Sequence, residues 1–125
     1  MIKIGTDLVE IRRIEKSIQS ERFTQKVFGA DERAELQSRG MPPQSAAGAF
    51  AAKEAFAKAL GTGIRGFALH EVQLLHDQNG APFLQLSGRA EQIRDRQNLQ
   101  LSVSVTHTKE LAQAVVLAYE KNKSE

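Results

Sequence analysis

Three short polar clusters carry the residue types that could do chemistry in this chain. The first is Ile4-Gly5-Thr6-Asp7, where the sequence predicts that a short strand ends and a helix begins. Asp7 has two interpretations that do not exclude each other. With Glu10 three positions later it forms a capping-box pattern, and such a cap is worth about 1 kcal/mol to a helix. Alternatively, Asp7 is a carboxylate held at a sheet edge, where it can bind a cation.

The second cluster lies in an alanine-rich segment, Ser45 to Leu60, which is the clearest helix in the sequence. Within it, Glu54 and Lys58 lie nearly above one another on the helix surface. The simplest interpretation is an exposed ion pair, worth about a few tenths of a kcal/mol. However, one carboxylate and two ammonium groups, those of Lys53 and Lys58, would also suit a complex of phosphate and metal.

The third cluster is Ser104-Val105-Thr106-His107-Thr108-Lys109, at the end of an alternating apolar and polar segment that predicts a half-buried strand. His107 terminates that strand. A histidine in such a position is commonly an ordinary surface group, but it can also face a cleft or an interface. His70 and His76 have no motif around them and are assigned no role.

Periodicity and breaker residues predict the elements that position these clusters. Asn79-Gly80 favours a hairpin turn with positive φ, and Pro42-Pro43 marks a break before the alanine-rich helix. Because helices dominate the first half and strands the second, we expect an α+β fold with an antiparallel sheet. The predicted elements are a strand at 2–6, helices from 7 onward and over 30–38, 45–60 and 87–96, and strands over 67–76, 81–86, 99–106 and 111–119.

Length and composition exclude several classes of protein. The 125 residues suit a single domain, predicted over 1–120, with a solvated tail at 121–125. The absence of cysteine excludes disulfides, thiolate metal sites and a cysteine nucleophile. No apolar run approaches the roughly 20 residues of a membrane span, and the N-terminus is not a signal peptide, so we expect a cytoplasmic protein. A formal charge of +2 without stacking aromatic residues does not favour a nucleic-acid partner.

The residues of these clusters and their order along the chain resemble the motifs of the holo-acyl-carrier-protein synthase family of 4'-phosphopantetheinyl transferases. That family has Gly-x-Asp near the N-terminus and later a helix with Phe/Trp-x-x-Lys-Glu-Ala-x-x-Lys. Here these segments are Gly5-Thr6-Asp7 and Phe50-Ala51-Ala52-Lys53-Glu54-Ala55-Phe56-Ala57-Lys58. The resemblance continues through Gly61-Thr62-Gly63-Ile64, Asn79-Gly80-Ala81-Pro82 and the third cluster, so it spans nearly the whole chain.

The resemblance implies a reaction and a set of site residues. A carrier-protein serine would attack the β-phosphorus of coenzyme A, in fatty acid biosynthesis, and release adenosine 3',5'-bisphosphate. Asp7 and Glu54 would hold Mg²⁺, which completes its octahedral shell with phosphate oxygens and waters. Lys58 would hold the pyrophosphate and stabilise the leaving group. Either Glu54 or a metal-bound water could be the base that accepts the serine proton, and the sequence does not distinguish between them.

Further contacts to coenzyme A are implied for Lys53, Gly63, His107 and Thr108, the last two either within a protomer or across an interface. The family also implies a homotrimer with active sites between protomers. Relatives commonly have a basic residue where this chain has Ala49, immediately before the aromatic residue of the Lys-Glu helix. We therefore expect weaker discrimination against 3'-dephospho-coenzyme A, unless Lys53 or Arg39 substitutes.

The first predicted helix offers a surface for a protein partner. Its apolar stripe is expected to face the core, and its opposite side carries Val9, Arg12, Arg13 and Lys16. Such a face is usually only solvated. It also suits an acidic amphipathic helix, as in an acyl carrier protein, because complementary charge speeds and orients docking. Two other hypotheses stay open: a binding module without turnover, and a different phosphoryl-transfer enzyme with the same magnesium site.

Overall fold

The computed structural model describes residues 1–61 and 66–121, and its secondary structure is α+β, as the sequence predicts. A short 3-10 helix, Leu69–Glu71, precedes β2. The other elements, in chain order, are β1 (Ile2–Glu10), α1 (Ile11–Ser17), α2 (Glu21–Val27), α3 (Ala30–Ser38), α4 (Pro43–Leu60), β2 (Val72–His76), β3 (Pro82–Leu86), α5 (Gly88–Arg96), β4 (Leu99–His107) and β5 (Leu111–Glu120).

The strands form two sheets rather than the single sheet that the sequence predicts. One sheet has the order β1-β5-β4 with both pairs antiparallel, and the other is the β2-β3 hairpin. The predicted hairpin turn is confirmed, with Gly80 at φ +83°. The Asp77 carboxylate closes this turn by accepting the N–H groups of Asn79 at 2.8 Å and Ala81 at 3.0 Å.

Helix α4 lies against the three-stranded sheet and forms the centre of the core. Eight of its eighteen residues are alanine, and nearly all of these are fully buried. Small side chains let the strand and the helix approach closely, most of all at Gly5. A Cβ atom at this glycine would lie 2.0 Å from the Ala55 carbonyl oxygen and 2.5 Å from the Ala59 nitrogen. The two backbones are therefore in direct contact beside Asp7.

The predicted helix start at Asp7 is wrong, because β1 continues to Glu10. Every residue from Ile2 to Glu10 pairs with β5, and Asp7 lies opposite Ala114. The pairing energy of a nine-residue strand exceeds the roughly 1 kcal/mol that a helix cap provides. The actual α1 begins after Glu10, whose side chain makes no capping hydrogen bond.

Two other local predictions differ from the structure. Helix α2 was not predicted, although Ser20 caps it by accepting the Phe23 N–H at 3.2 Å. The strand predicted from Phe67 begins only at Val72, because the Glu71 carboxylate accepts the Ala68 N–H at 3.1 Å and stabilises the short 3-10 helix. Among the described residues, no helix is long and apolar enough to cross a membrane.

Candidate active site

Asp7 reaches α4 because of the alternation of side chains along β1. Gly5 and Val9 are buried on the helix side of the strand, and Asp7 lies between them on that same side. Its side chain is 18% exposed, so the carboxylate is in a cleft beside the helix rather than on the open surface. The glycine two positions earlier allows this approach, and that is the physical reason for Gly-x-Asp spacing in this chain.

Lys58 contacts Asp7 across the strand–helix interface. Its Nζ lies 3.1 Å from Asp7 Oδ1 and 3.0 Å from the Thr6 carbonyl oxygen. The simplest interpretation of the sequence is an exposed ion pair between Glu54 and Lys58. In the structure, Lys58 instead forms its ion pair with Asp7 on β1. The Lys58 side chain is still 58% exposed, so its ammonium group is accessible to a ligand.

Glu54 completes the cluster from α4, one turn before Lys58. Burial raises the pKa of Glu54, the Asp7 charge raises it further, and Lys58 and Arg13 oppose the shift. Two carboxylates therefore lie close enough to repel each other, with two cations beside them. The structure brings together Asp7, Glu54 and Lys58 from two elements that are far apart in the sequence.

This donor set is compatible with a magnesium ion. Burial is the main cause of the raised Glu54 pKa, and a divalent cation held by Asp7 and Glu54 would offset the repulsion that adds to it. Within residues 1–61 and 66–121 there is no group of three or more His, Asp or Glu side chains that could hold a metal by themselves. Two carboxylates fit an ion that takes its remaining ligands from phosphate and water, as Mg²⁺ commonly does.

The expectation that Lys53 binds the coenzyme is wrong in this structure. Lys53 has no exposed surface, and its Nζ lies 2.6 Å from Glu32 Oε1 and also contacts the Val72 carbonyl oxygen. Burial lowers the pKa of Lys53 and raises that of Glu32, while the attraction between the two opposes both shifts. A side chain enclosed on all sides cannot touch a dissolved ligand.

His107 lies in a different region, a cavity of about 230 Å³ between α3, α4, β4 and the β2-β3 hairpin. Arg39, Ala49 and His76 also line this cavity, whereas Asp7, Glu54 and Lys58 do not. His76, to which the sequence assigned no role, is held there by Glu35, with 3.0 Å between Nδ1 and Oε2. Among the described residues, the cavity that contains His107 therefore does not include Asp7, Glu54 and Lys58, which we call the Asp7 cluster.

Two further predicted coenzyme contacts give different outcomes. Thr108 is in the turn between β4 and β5, where its hydroxyl accepts the N–H groups of Glu110 at 3.3 Å and Leu111 at 3.1 Å. These bonds leave its hydroxyl hydrogen free for a ligand acceptor. Gly63 lies outside the described residues, as do the last four of the five residues predicted as a tail.

The basic residues of α1 line a shallow concavity of about 410 Å³ that contains Arg12, Arg13 and Lys16. Val9 does not belong to this face, contrary to the sequence prediction, because it is in β1 and only 4% exposed. The Arg13 guanidinium lies over the Phe50 ring, with 5.8 Å between its Cζ and the ring centroid. Since Arg13 also lowers the Glu54 pKa, this surface borders the Asp7 cluster.

Comparison with known proteins identifies the family. The model of the 4'-phosphopantetheinyl transferase superfamily matches residues 3–118. A holo-[acyl-carrier-protein] synthase of Fusobacterium nucleatum is 38% identical over 119 residues, which are 94% of this chain and 98% of that protein. The Neisseria meningitidis holo-[acyl-carrier-protein] synthase structure superposes with a TM-score of 0.88 at 33% identity, over 96% of this chain and 100% of that one. The Helicobacter pylori enzyme in complex with coenzyme A gives a TM-score of 0.80 at 32% identity, over 93% and 99%.

The chain therefore belongs to the 4'-phosphopantetheinyl transferase superfamily. Within that superfamily it is similar, over nearly its whole length, to holo-[acyl-carrier-protein] synthases. Both the resemblance seen in the sequence and the α+β fold class are confirmed.

Proposed function

We propose that this protein transfers the 4'-phosphopantetheine group of coenzyme A to a serine of apo-acyl carrier protein, for fatty acid biosynthesis. The products are holo-acyl carrier protein and adenosine 3',5'-bisphosphate. The observation that carries this proposal is the cluster of Asp7, Glu54 and Lys58, since it joins two carboxylates and an accessible ammonium group at one edge of the sheet. Coenzyme A is bound in the similar H. pylori structure.

Asp7 and Glu54 would hold Mg²⁺, which supplies Lewis-acid neutralisation of the phosphate charge and a template for the pyrophosphate. Lys58 would exchange its contact with Asp7 for the pyrophosphate oxygens and stabilise the charge that develops on the departing phosphate. The serine oxygen forms a bond to the β-phosphorus, and the bond from that phosphorus to the bridging oxygen breaks. Adenosine 3',5'-bisphosphate leaves with the bridging oxygen.

The serine proton needs an acceptor, and Glu54, which lies in the cluster, is one candidate. The raised pKa of Glu54 describes the metal-free site, because a cation held by Asp7 and Glu54 would offset it. A water molecule at the site is the alternative acceptor. Asp7 Oδ1 accepts a hydrogen bond from Lys58 Nζ at 3.1 Å, and this contact suits a ligand role better than a base role.

The coenzyme's 3'-phosphate end would occupy the cavity that contains Arg39 and His107. Arg39 can supply the positive charge that Ala49 lacks, while the buried Lys53 cannot. Ala49 and Glu54 are five positions apart on α4, so they lie about 140° apart around the helix. One coenzyme molecule would therefore contact the His107 cavity of one protomer and the Asp7 cluster of another.

A homotrimer would bring these two regions together, and the outer face of the three-stranded sheet supports such an assembly. Ile2, Ile4 and Leu8 on β1 are 71%, 66% and 58% exposed. Leu117 on β5 lies directly opposite Ile4 and extends the same face. An exposed apolar patch of this kind is typical of a protein interface. A second copy of this chain is the proposed occupant.

The basic face of α1 would dock the acyl carrier protein. Arg12, Arg13 and Lys16 line one concavity, and Arg13 is near Glu54, so a carrier docked there would have its serine beside the Asp7 cluster. Complementary charge would raise the association rate more than the final affinity. A cytoplasmic location, as predicted from the sequence, agrees with these partners.

The first test is direct measurement of the carrier mass. The protein is incubated with coenzyme A, Mg²⁺ and apo-acyl carrier protein, and the carrier is weighed by intact-mass spectrometry. We expect a gain of one phosphopantetheine, lost with a chelator and in separate Asp7→Asn and Glu54→Gln variants. Glu91→Gln, an exposed carboxylate of α5, is the matched control and should retain full activity.

Two results would contradict the proposal. A carrier that keeps its mass while coenzyme A still binds would favour a binding module without turnover. Release of adenosine 3',5'-bisphosphate without modification of any carrier would indicate a different phosphoryl-transfer reaction at the same site.

A further inference from the structure

Lys53 and Glu32 form an ion pair in the interior that joins three elements. Lys53 on α4 donates to Glu32 Oε1 on α3 at 2.6 Å and also to the carbonyl oxygen of Val72 on β2. The other carboxylate oxygen, Glu32 Oε2, accepts the Leu74 N–H of β2 at 2.8 Å. Both side chains are completely buried. The pair therefore ties α4 to a fixed point on α3 and β2.

The rest of the α4 surface makes few directed polar contacts. Its buried face is built mainly from alanine, and its larger buried side chains, Phe50, Phe56 and Leu60, hold the helix by shape rather than by directed hydrogen bonds. Among the described residues, the side-chain hydrogen bonds between α4 and other elements come from Lys53 and Lys58. Lys58 is largely exposed, so the buried hydrogen bonds among these are the two that Lys53 donates.

Fold stability is a weak explanation for this pair. Taking two charges out of water is costly, and buried ion pairs can often be replaced by apolar residues of similar volume with no loss of stability. What such a replacement would remove is the fixed direction of the hydrogen bonds. Lys53 immediately precedes Glu54, so any rotation of α4 at Lys53 changes where the Glu54 carboxylate points relative to Asp7.

We infer that the buried Lys53–Glu32 pair positions Glu54 against Asp7, so both are positioning residues of the site. This inference rests on the proposed function for its kinetic part and on geometry alone for its structural part. The pair sets the rotation and the axial position of α4, and the Gly5 contact sets its distance from β1. A displacement of about 1 Å at reacting groups can lower a rate by about 10²-fold.

The decisive variant is the double substitution Lys53→Met with Glu32→Gln. It removes both charges and keeps similar volumes. The one amide oxygen of the new glutamine can accept either the Leu74 N–H or the Gly29 N–H, both of which Glu32 accepts in the unmodified protein. The single Lys53→Met variant leaves a buried carboxylate without its partner and is expected to unfold at a much lower temperature. The double variant should recover a melting temperature near that of the unmodified protein, while its kcat stays at least about 10-fold lower.

Two controls separate positioning from stability. Leu99→Ala removes a buried side chain at the start of β4 and should lower the melting temperature while kcat is unchanged. The KM for the carrier should be unchanged in the double variant, because α1 is not altered. Recovery of both full stability and full kcat by the double variant would overturn the inference and leave the pair a purely structural role.

A crystal structure of the double variant gives a readout that does not depend on turnover. We expect the Glu54 carboxylate to move by about 1 Å relative to Asp7, on the scale at which misplacement affects rates. An unchanged Glu54 position would also overturn the inference. If the unmodified protein fails to modify any carrier, the proposed function is refuted, while this structural comparison still decides whether the pair positions Glu54.

Discussion

Replacement of Gly5 by alanine should damage both the fold and the site by a predictable amount. The new Cβ would lie 2.0 Å from the Ala55 carbonyl oxygen and 2.5 Å from the Ala59 nitrogen, where contacts below 3.0 Å essentially do not occur. Both neighbours are backbone atoms of α4 and cannot turn aside. Strand β1 must therefore move away from the helix by about 1 Å, the difference between 2.0 Å and 3.0 Å.

This displacement has two consequences of known scale. Overpacking of a core costs about 1–3 kcal/mol, and a collision between backbones belongs at the upper end of that range. For a chain of this size, we expect the melting temperature to fall by about 5–12 °C. Asp7, two residues along β1, moves with the strand and lengthens its 3.1 Å contact with Lys58. The expected loss in kcat/KM is about 10²-fold.

Thermal unfolding and carrier-modification kinetics on the same samples measure both effects. Gly40→Ala is the matched control, because Gly40 has φ +78° and no atom within 4 Å of an added Cβ. It should cost about 1 kcal/mol through backbone strain and leave kcat/KM unchanged. A Gly5→Ala protein with the stability and activity of the unmodified protein would refute the argument that this glycine sets the strand–helix distance.

Three further predictions follow from the site and its surroundings. Burial and the Asp7 charge raise the folded-state pKa of Glu54 above its usual 4.5. The free energy of unfolding therefore falls as the pH rises from the usual pKa through the raised one, because Glu54 ionises less readily in the folded protein. In metal-free buffer, Glu54→Gln should therefore melt above the unmodified protein at pH 7, by an amount that solvent screening keeps small, and show no difference near pH 4. A lower melting temperature of Glu54→Gln at pH 7 would contradict this. If the proposed homotrimer forms through the outer sheet face, Ile4→Glu should convert it to folded monomers in analytical ultracentrifugation, because Ile4 is 66% exposed on that face. An unchanged mass would exclude this face as the interface. Arg13→Glu should raise the KM for the carrier about 10-fold or more with a smaller change in kcat, while Lys26→Glu on α2 should not; equal effects of both would indicate only a general charge effect.

The site residues that the sequence predicted fall into two groups. Asp7, Glu54 and Lys58 could be proposed from their motifs, because the chemistry of a phosphate–metal complex requires carboxylates and ammonium groups. The motif of α4 also contains Lys53, a second lysine on the same helix as Lys58. For Lys53, the prediction that it binds coenzyme A is wrong. Whether a lysine on a helix is buried or exposed depends on what packs against that side, which here is Glu32 and β2.

The elements were predictable where local patterns are strong. Helix α3, the alanine-rich helix α4 and the hairpin turn at Gly80 agree with the sequence within a few residues. Helix α2 and the short 3-10 helix were missed because a single capping side chain, Ser20 or Glu71, decides each of them. The alternating strand that ends at His107 was identified, but not the cavity in which His107 lies.

The sequence by itself determined the residue types available for chemistry, the helical spacing of Glu54 and Lys58, and the family to which the chain belongs. Only the tertiary structure decided how those residues meet. Asp7 has a local pattern that favours a helix cap, and pairing with β5 across more than a hundred residues holds it in a strand instead. Lys58 bonds to Asp7 because the Gly5 contact brings two distant segments together. Local preferences are worth about 1 kcal/mol each, whereas strand pairing and core packing sum over many residues, so the long-range contacts prevail.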